Sequence, residues 1–185
     1  MARLFYRYSA MNAGKSTHLL QVAHNYNENG REVLLFTSAL DGRDGYGVVS
    51  SRIGLKRDAL TYTQDTDFLE LLKDVKVACV LVDEAQFLTF RQVRQLHQWV
   101  HANDIPVMCF GIRSDFQGNP FPGSAALLTL ADNLEEIRTI CACGKKATMN
   151  IRMNEDGARV HEGAQVLIGG NSRYRQVCAK CFYET

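Results

Sequence analysis

Strand-length apolar runs alternate with amphipathic stretches through the first 140 residues of the chain. Residues 3–8 read as a short strand leading into the small-residue loop 9–14. Leu19, Ala23 and Tyr26 recur at i, i+4 and i+7, which predicts a helix from Lys15 to about Asn29, with Gly30 in the place of a C-terminal glycine. Residues 32–37 (EVLLFT) form a second strand, whereas residues 38–64 show no clear period and read as an irregular loop. Asp67 with Glu70 predicts a capping box opening a short helix through Val75. Residues 77–82 are a buried strand ending in the acids Asp83 and Glu84. Thr89 with Gln92 is a second capping box, and Val93, Leu96 and Val100 share one face of the helix it opens.

Pro106 introduces a strand over residues 107–112. The following loop, 113–123, contains Phe116, Pro120, Phe121 and Pro122 and is not regular throughout. Ser124 begins another short helix, with Leu127, Leu130 and Leu134 as its expected buried set. Strands alternating with helices at this spacing predict an α/β fold, a parallel sheet covered on both faces. From Cys141 the pattern changes. Short alternating runs at 147–153 and 159–168 flank turn signals at Asp156-Gly157 and Gly169-Gly170, and no internal repeat is present.

Composition narrows the class. At 185 residues and 46% apolar content the chain can bury a core, which excludes intrinsic disorder and fits one domain, or one domain plus an appendage. Its net charge of +1 lacks the basic footprint of a duplex-binding protein, so nucleic acid is not an expected partner. Arg3 and Arg7 interrupt any signal core after Met1, and the longest apolar runs are strand-sized. A cytoplasmic protein with no membrane partner is therefore expected.

Ser9-Ala10-Met11-Asn12-Ala13-Gly14-Lys15-Ser16-Thr17 follows a strand and opens a helix, the context that a G-x-x-x-x-G-K-[ST] phosphate loop requires. Small residues there let backbone N–H groups approach phosphate oxygens, and the helix N-terminus adds partial positive charge. Lys15 would reach the outer phosphates of ATP and the Ser16 hydroxyl would ligate Mg²⁺. Ser9 stands where the motif has its first glycine, so the backbone there must tolerate a Cβ. The strand ending in Asp83-Glu84 supplies the complementary half. Asp83 can hold Mg²⁺ through water, and Glu84 can activate a nucleophile. That nucleophile is water in a RecA-like ATPase or ATP-driven regulator and a substrate hydroxyl in a kinase, and the acid pair alone does not separate them. Near-neutral charge and the aromatic loop after Ile112 favour a pocket for a small flat ligand.

The motifs Ser-Ala-Met11-Asn-Ala-Gly-Lys-Ser-Thr, Val-Asp-Glu84-Ala-Gln86-Phe87, Asp115-Phe116-Gln117-Gly-Asn-Pro120-Phe121, Val166-Leu-Ile-Gly169-Gly170-Asn-Ser-Arg-Tyr174 and Cys178-Ala-Lys-Cys181 occur in a fixed order. In that order the chain resembles the cellular, zinc-containing type of thymidine kinase from Leu4 to Tyr183. The resemblance implies a RecA-like P-loop sheet over residues 1–140. It also implies a zinc-ribbon-like part, 141–185, whose lasso loop closes over the nucleoside. It implies transfer of the ATP γ-phosphate to the 5′-OH of thymidine, with deoxyuridine beside it. Glu84 would be the general base, and Asp83 and Gln86 would serve the ATP and Mg²⁺ side. Asp41 and Arg43 would serve the deoxyribose and phosphate end. Met11, Phe87, Ile112, Phe116, Phe121 and Tyr174 would wall the thymine pocket, with Leu167, Ile168 and Gly169 closing it from the lasso. Feedback inhibition by dTTP and a homotetramer are implied as well. On spacing alone the three phenylalanines suit a core and Tyr174 a loop contact better than a ligand role, Met11 could fill a gap, and Asp41–Arg43 could be an exposed ion pair.

The six cysteines divide into four and two. Cys79 and Cys109 sit in strand-like runs and act as small hydrophobes. Cys178-x-x-Cys181 has zinc-ligand spacing, and Cys141 and Cys143 complete a closed four-thiolate structural site. Only one residue separates Cys141 from Cys143, where the resembled family often has two. A three-cysteine site with another ligand is the alternative, and free thiols or a redox pair are the others. The redox reading expects Cys-x-x-Cys at a helix start after a strand, and position near the chain end argues against it here. The helical His18, His24, His97 and His101 show no partner spacing for a metal.

Overall fold

The computed structural model describes residues 1–40, 47–167 and 173–184. Strand β1 (Leu4–Ser9) leads into helix α1 (Lys15–Glu28), and β2 (Val33–Ser38) follows. Strands β3 (Val48–Ser50), β4 (Lys56–Asp58) and β5 (Leu60–Tyr62) precede the short helix α2 (Phe68–Leu72) and strand β6 (Cys79–Val82). Helix α3 (Phe90–Asn103), strand β7 (Val107–Ile112), helix α4 (Pro122–Leu130) and strand β8 (Asn133–Glu136) complete this part. Six of these strands form one sheet in the order β5-β2-β6-β7-β1-β8, and every pairing in it is parallel.

Alternation along each central strand divides two apolar layers. Leu4, Tyr6, Phe36, Val80, Val82 and Cys109 face Val93, Leu96 and Val100 of α3 and Leu127 of α4. Leu35, Cys79, Leu81 and Phe110 face Leu19, Leu20 and Ala23 of α1. Each fully buried Leu or Val contributes roughly 1.5–3 kcal/mol, so the two-sided cover is what makes an all-parallel sheet stable. The expected α/β sheet, the apolar faces of α1 and α3 and the buried strand cysteines are all present.

Both N-terminal caps are recognisable. The Asp67 carboxylate accepts from the N–H groups of Leu69 and Glu70, and at Thr89 both halves of the capping box form. Gln92 does more than cap. While its oxygen accepts from Thr89 N, its amide donates to the carbonyls of Thr63 and Thr66 at 2.7 and 2.9 Å, fixing the turn before α2.

The structure differs from the sequence reading at several points. Residues 38–64 are not simply irregular: β3 and β4 pair as an antiparallel hairpin, and β5 is the parallel edge strand beside β2. Three-residue strands contain only one alternation, too little to register as a period. Leu134 does not belong to α4. It lies on β8 and is 48% exposed, because the chain turns at Ala131 into a further sheet strand. Helix α4 starts at Pro122 rather than Ser124, with the proline inside its first turn, where a missing N–H costs nothing.

Beyond the main sheet, β9 (Thr139–Ile140) pairs with β10 (Lys146–Ala147), while β11 (Met149–Met153) lies between β12 (Arg159–Val160) and β13 (Tyr174–Val177). Helix α5 (Ala179–Glu184) follows. Cys141, Ala147, Ile151, Val177, Cys178 and Phe182 form a small separate apolar cluster.

One close approach joins fold to site. A Cβ at Gly123 would lie 2.5 Å from the Ala85 carbonyl and 2.7–2.8 Å from those of Leu88 and Gln86. The start of α4 therefore rests directly on the 3-10 turn Ala85–Phe87. Gly123→Ala is expected to push these backbones apart and to cost about 1–3 kcal/mol of stability, measured by urea unfolding. Unchanged stability would show that the turn yields freely.

Candidate active site

The ends of β1, β2, β6 and β7 in the parallel sheet converge on one cavity, as expected outside the carboxyl edge of an open α/β sheet. Its volume is about 520 Å³, within the size range of small-molecule sites. Gly14, Lys15, Ser16 and Thr17 line it together with Asp83, Glu84, Gln86 and Ile112. So do Met11, Asn12, Phe87, Phe116, Phe121, Leu167 and Tyr174. The phosphate loop, the acid pair and the aromatic residues thus share one space.

The phosphate loop is built by two left-handed residues, Asn12 (φ 60) and Gly14 (φ 79), the latter capping α1. Glycine suits that conformation because a Cβ would be strained there. Ser9, at the place of the missing first glycine, is the last residue of β1 and has no positive φ, so its Cβ is accommodated. Its hydroxyl donates to the Ala10 carbonyl at 2.6 Å, and both residues are buried beneath the loop. Ala13 completes the loop between the two left-handed residues. The Lys15 ammonium lies 3.4 Å from the Ala10 carbonyl, folded back over its own loop. The Ser16 hydroxyl donates to Asp83 Oδ2 at 3.0 Å, which ties the start of α1, just after β1, to the end of β6 across the intervening β7.

Asp83 is 4% exposed. Burial, and then the neighbouring Glu84 charge, push its carboxyl up to about 7. Glu84 adopts φ 52, a left-handed conformation that costs a non-glycine residue about 1–3 kcal/mol. Several bonds over-determine it. Glu84 N donates to Asp83 Oδ1 at 3.0 Å, and Tyr62 OH donates to the Glu84 carbonyl at 2.8 Å. Burial raises the Tyr62 phenol well above its ordinary value, so it stays a donor. The Gln86 amide donates to Glu84 Oε2, while its own oxygen accepts from Ile112 N at 3.3 Å. Gln86 thereby fixes the acid's direction against the end of β7. The Ile112 carbonyl is held in turn by Tyr6 OH at 3.0 Å and Ser124 Oγ at 2.6 Å.

The aromatic wall depends on a turn. Asp115 Oδ1 accepts from Gln117 N and Asn119 N at 2.9 and 2.8 Å, closing the loop that buries Phe116 and Phe121. Phe121 meets Phe87 edge-on, with ring centroids 5.8 Å apart. Asp115 Oδ2 accepts from Gln165 at 2.9 Å, and Arg152 lies 3.8 Å over the Phe116 ring while donating to the Ala164 carbonyl at 2.8 Å. Residues 164–167 are therefore held against the cavity at their start. Ile168 and Gly169, and likewise Asp41 and Arg43, lie outside the described residues.

Away from the cavity, the sulfurs of Cys141, Cys143, Cys178 and Cys181 all lie within 4.8 Å of one another, and Cys143 Sγ is 3.6 Å from Cys178 Sγ. Four thiolates about 2.3 Å from a tetrahedral Zn²⁺ would be about 3.8 Å apart, so the cluster fits that ion. The one-residue spacing does not keep the Cys141 sulfur out of the group. The N–H groups of Cys143 and Cys178 pull Cys141 down to about 6, whereas hydrogen bonding to Cys143, Cys178 and Cys141 pushes Cys181 up to about 12. A divalent cation is what would let all four ionise together. One expectation is corrected: Cys178-x-x-Cys181 does sit at a helix start, since β13 ends at Val177 and α5 begins at Ala179. Position along the chain therefore does not disfavour the redox reading; the convergence of four sulfurs does.

Sequence reasoning missed Tyr6, Tyr62, Ser124, Asn150, Arg152 and Gln165, which act through distant partners. Only Asn150 and Arg152 carried a signal, as polar residues in an alternating apolar run.

The match to known proteins runs the length of the chain. Residues 2–182 match the family model described as thymidine kinase. A thymidine kinase of Chromobacterium violaceum is 58% identical, covering 99% of both chains. Those of Albidiferax ferrireducens and Idiomarina loihiensis are 56% and 53% identical, over 99% and 100% of this chain and 93% and 97% of theirs. Near-complete coverage at that identity leaves no part of the cavity or the cysteine cluster outside the comparison, and the chain belongs to the thymidine kinase family.

Proposed function

We propose that the chain transfers the γ-phosphoryl group of ATP to the 5′-OH of thymidine, giving dTMP and ADP, with deoxyuridine as a second acceptor. The observation that carries this is the single cavity holding both the phosphate loop and the aromatic wall, with the acid pair lining it too. ATP enters by its phosphates, against the loop N–H groups from Ser9 to Thr17, with Lys15 at the outer phosphates. Ser16 and, through water, Asp83 would hold Mg²⁺, which neutralises charge on the transferring group. Glu84, its direction set by Gln86, accepts the 5′-OH proton as the oxygen attacks in line, and ADP leaves without a covalent enzyme intermediate. Phe87, Phe116 and Phe121, with Met11, Ile112 and Tyr174, enclose the base, and Leu167, Ile168 and Gly169 close over it. Asp41 and Arg43 serve the deoxyribose end. An apolar pocket walled by these side chains would select thymine over bulkier pyrimidines by shape.

The same reading divides the chain near residue 140. The first part binds ATP, and the second is held by a structural zinc on Cys141, Cys143, Cys178 and Cys181 and bears the loop that closes over the nucleoside. dTTP is the feedback inhibitor in this scheme, because it presents thymine and a phosphate tail to one cavity. The homotetramer rests on family resemblance. A cytoplasmic location agrees with the described helices, none of which is long and apolar enough to cross a membrane.

Glu84→Gln is expected to lower turnover by about 10²–10⁴-fold while ATP and thymidine still bind, measured with labelled ATP and by calorimetry. Near-normal turnover would remove Glu84 as the base, and free phosphate in place of labelled dTMP would point to an ATPase. Elemental analysis is expected to return one zinc per chain. A metal-free protein with full activity would refute the structural zinc.

Asp83 gives a pH signature. Its pKa is raised on folding, so its proton stabilises the ligand-free fold below the ordinary carboxylate value near 3.8, and that stability is lost as pH rises through about 7. Asp83→Asn should therefore gain stability over the parent between pH 5 and pH 8 in urea unfolding without nucleotide. A difference that stays flat across that range would contradict the buried-acid account.

A further inference from the structure

Helix α3 carries His97 and His101 one turn apart, with ring centroids 4.7 Å apart and planes at 76°. The sequence alone offered them no metal partner. The fold supplies one: Asp132, on the turn between α4 and β8, faces both rings. His97 Nε2 lies 3.6 Å from Asp132 Oδ1, and His101 Nε2 lies 3.3 Å from Asp132 Oδ2. One donor atom from each residue falls within 4.8 Å of the other two.

We propose that His97, His101 and Asp132 form a second cation site, distinct from the cysteine cluster, that takes a first-row divalent ion of the zinc or nickel class. Two imidazoles and one carboxylate are the donor set that such ions prefer, whereas Mg²⁺ and Ca²⁺ favour all-oxygen shells. Donors about 2.1 Å from a tetrahedral ion lie about 3.4 Å apart, so modest rotation of the two part-exposed imidazoles closes the set. The carboxylate is already oriented, since the Leu4 N–H donates to Asp132 Oδ2 at 2.7 Å. His101 lies in the last turn of α3, where the helix dipole also favours a cation. Three protein donors at a solvent-facing position leave the remaining coordination places to water. A bound ion would clip the end of α3 to the turn entering β8 and, through Leu4, to the start of β1. The site then stabilises the β8 edge of the sheet and takes no part in phosphoryl transfer, so it stands or falls independently of the proposed activity.

The test is calorimetric titration of Ni²⁺ into the full chain with its cysteine cluster loaded with zinc, zinc content being followed by elemental analysis. One Ni²⁺ per chain is expected, with a raised Tm and no zinc released. The double variant His97→Gln, His101→Gln should lose this binding, and Asp132→Asn should weaken it by about tenfold or more. His24→Gln, on another helix, should leave it unchanged. Because Asp132 also accepts from Leu4, the exposed histidine variants carry the test if Asp132→Asn folds poorly. Absence of nickel binding, binding that survives the double histidine change, or uptake matched by zinc release would each overturn the proposal.

Discussion

The side-chain amide of Asn150 is where the parts of this molecule are tied together. Its oxygen accepts from Met11 N at 2.8 Å, and its nitrogen donates to the Ser114 carbonyl at 3.0 Å, at a position only 2% exposed. Met11 belongs to the phosphate loop, Ser114 to the loop that carries the aromatic wall, and Asn150 to β11, the central strand of the three-stranded sheet. Leaving one buried polar partner unsatisfied costs roughly 1–3 kcal/mol, so neither loop can shift alone. Asn12, whose amide donates to Gln176 at 2.8 Å, repeats the link one residue along the loop and one strand away. The distance between the phosphate loop and the 113–121 loop is therefore set by strands β11 and β13, which belong to neither loop.

Electrostatics imposes a second constraint at the same place. Asp83 and Glu84 are adjacent acids, one fully buried, and the left-handed backbone at Glu84 keeps them from diverging into separate elements. In the free protein that arrangement is unfavourable: burial and mutual repulsion raise the Asp83 pKa. The Ser16 hydroxyl and the Glu84 N–H offset part of the cost. A cation would relieve stored unfavourable charge of this kind, which accords with the proposed use of a metal-bound nucleotide. The chain's net charge of +1 fits the same logic, since positive charge is needed locally beside the phosphates and not over the surface.

How much was legible in sequence follows from the range of each interaction. The phosphate loop, both caps and the strand ending in Asp83 depend on neighbours within a few residues, and their residue types announce them. Ser9 was an apparent defect until the strand geometry showed that no left-handed residue is needed there. Strands β3, β4 and β5 were invisible because three residues hold no period and their partners supply the order. Leu134 was misplaced for a related reason: its spacing continues the helical pattern of Leu127 and Leu130, yet the chain leaves the helix at Ala131. Gln86 lines the cavity with the phosphate loop, and its hydrogen bonds to Glu84 and Ile112 add a positioning role that no spacing could express. Tyr62, Asn150, Arg152 and Asp132 act across 12 to 139 positions of sequence, and only the fold brings their partners near.

These longer links also explain why cysteines remote from the chemistry matter to it. The cluster containing Ile151, Val177 and Phe182 is too small to order its strands by burial alone, and two of its six buried members are cysteines. A metal on the four sulfurs would supply the missing stability, about 10–16 kcal/mol in peptide-sized zinc sites. That stability would reach the cavity along defined paths. Phe182 packs beside Gly118 of the aromatic loop, Arg159 lies over the Phe182 ring, and Arg152 stacks on Phe116 while gripping the start of the 164–167 segment. The acid pair, by contrast, is held by Tyr62, Gln86 and Ser16 within the parallel sheet. Loosening the strands around the cysteines would therefore act first on Phe116 and the phosphate-loop anchor at Met11, and would leave Glu84 where the main sheet puts it.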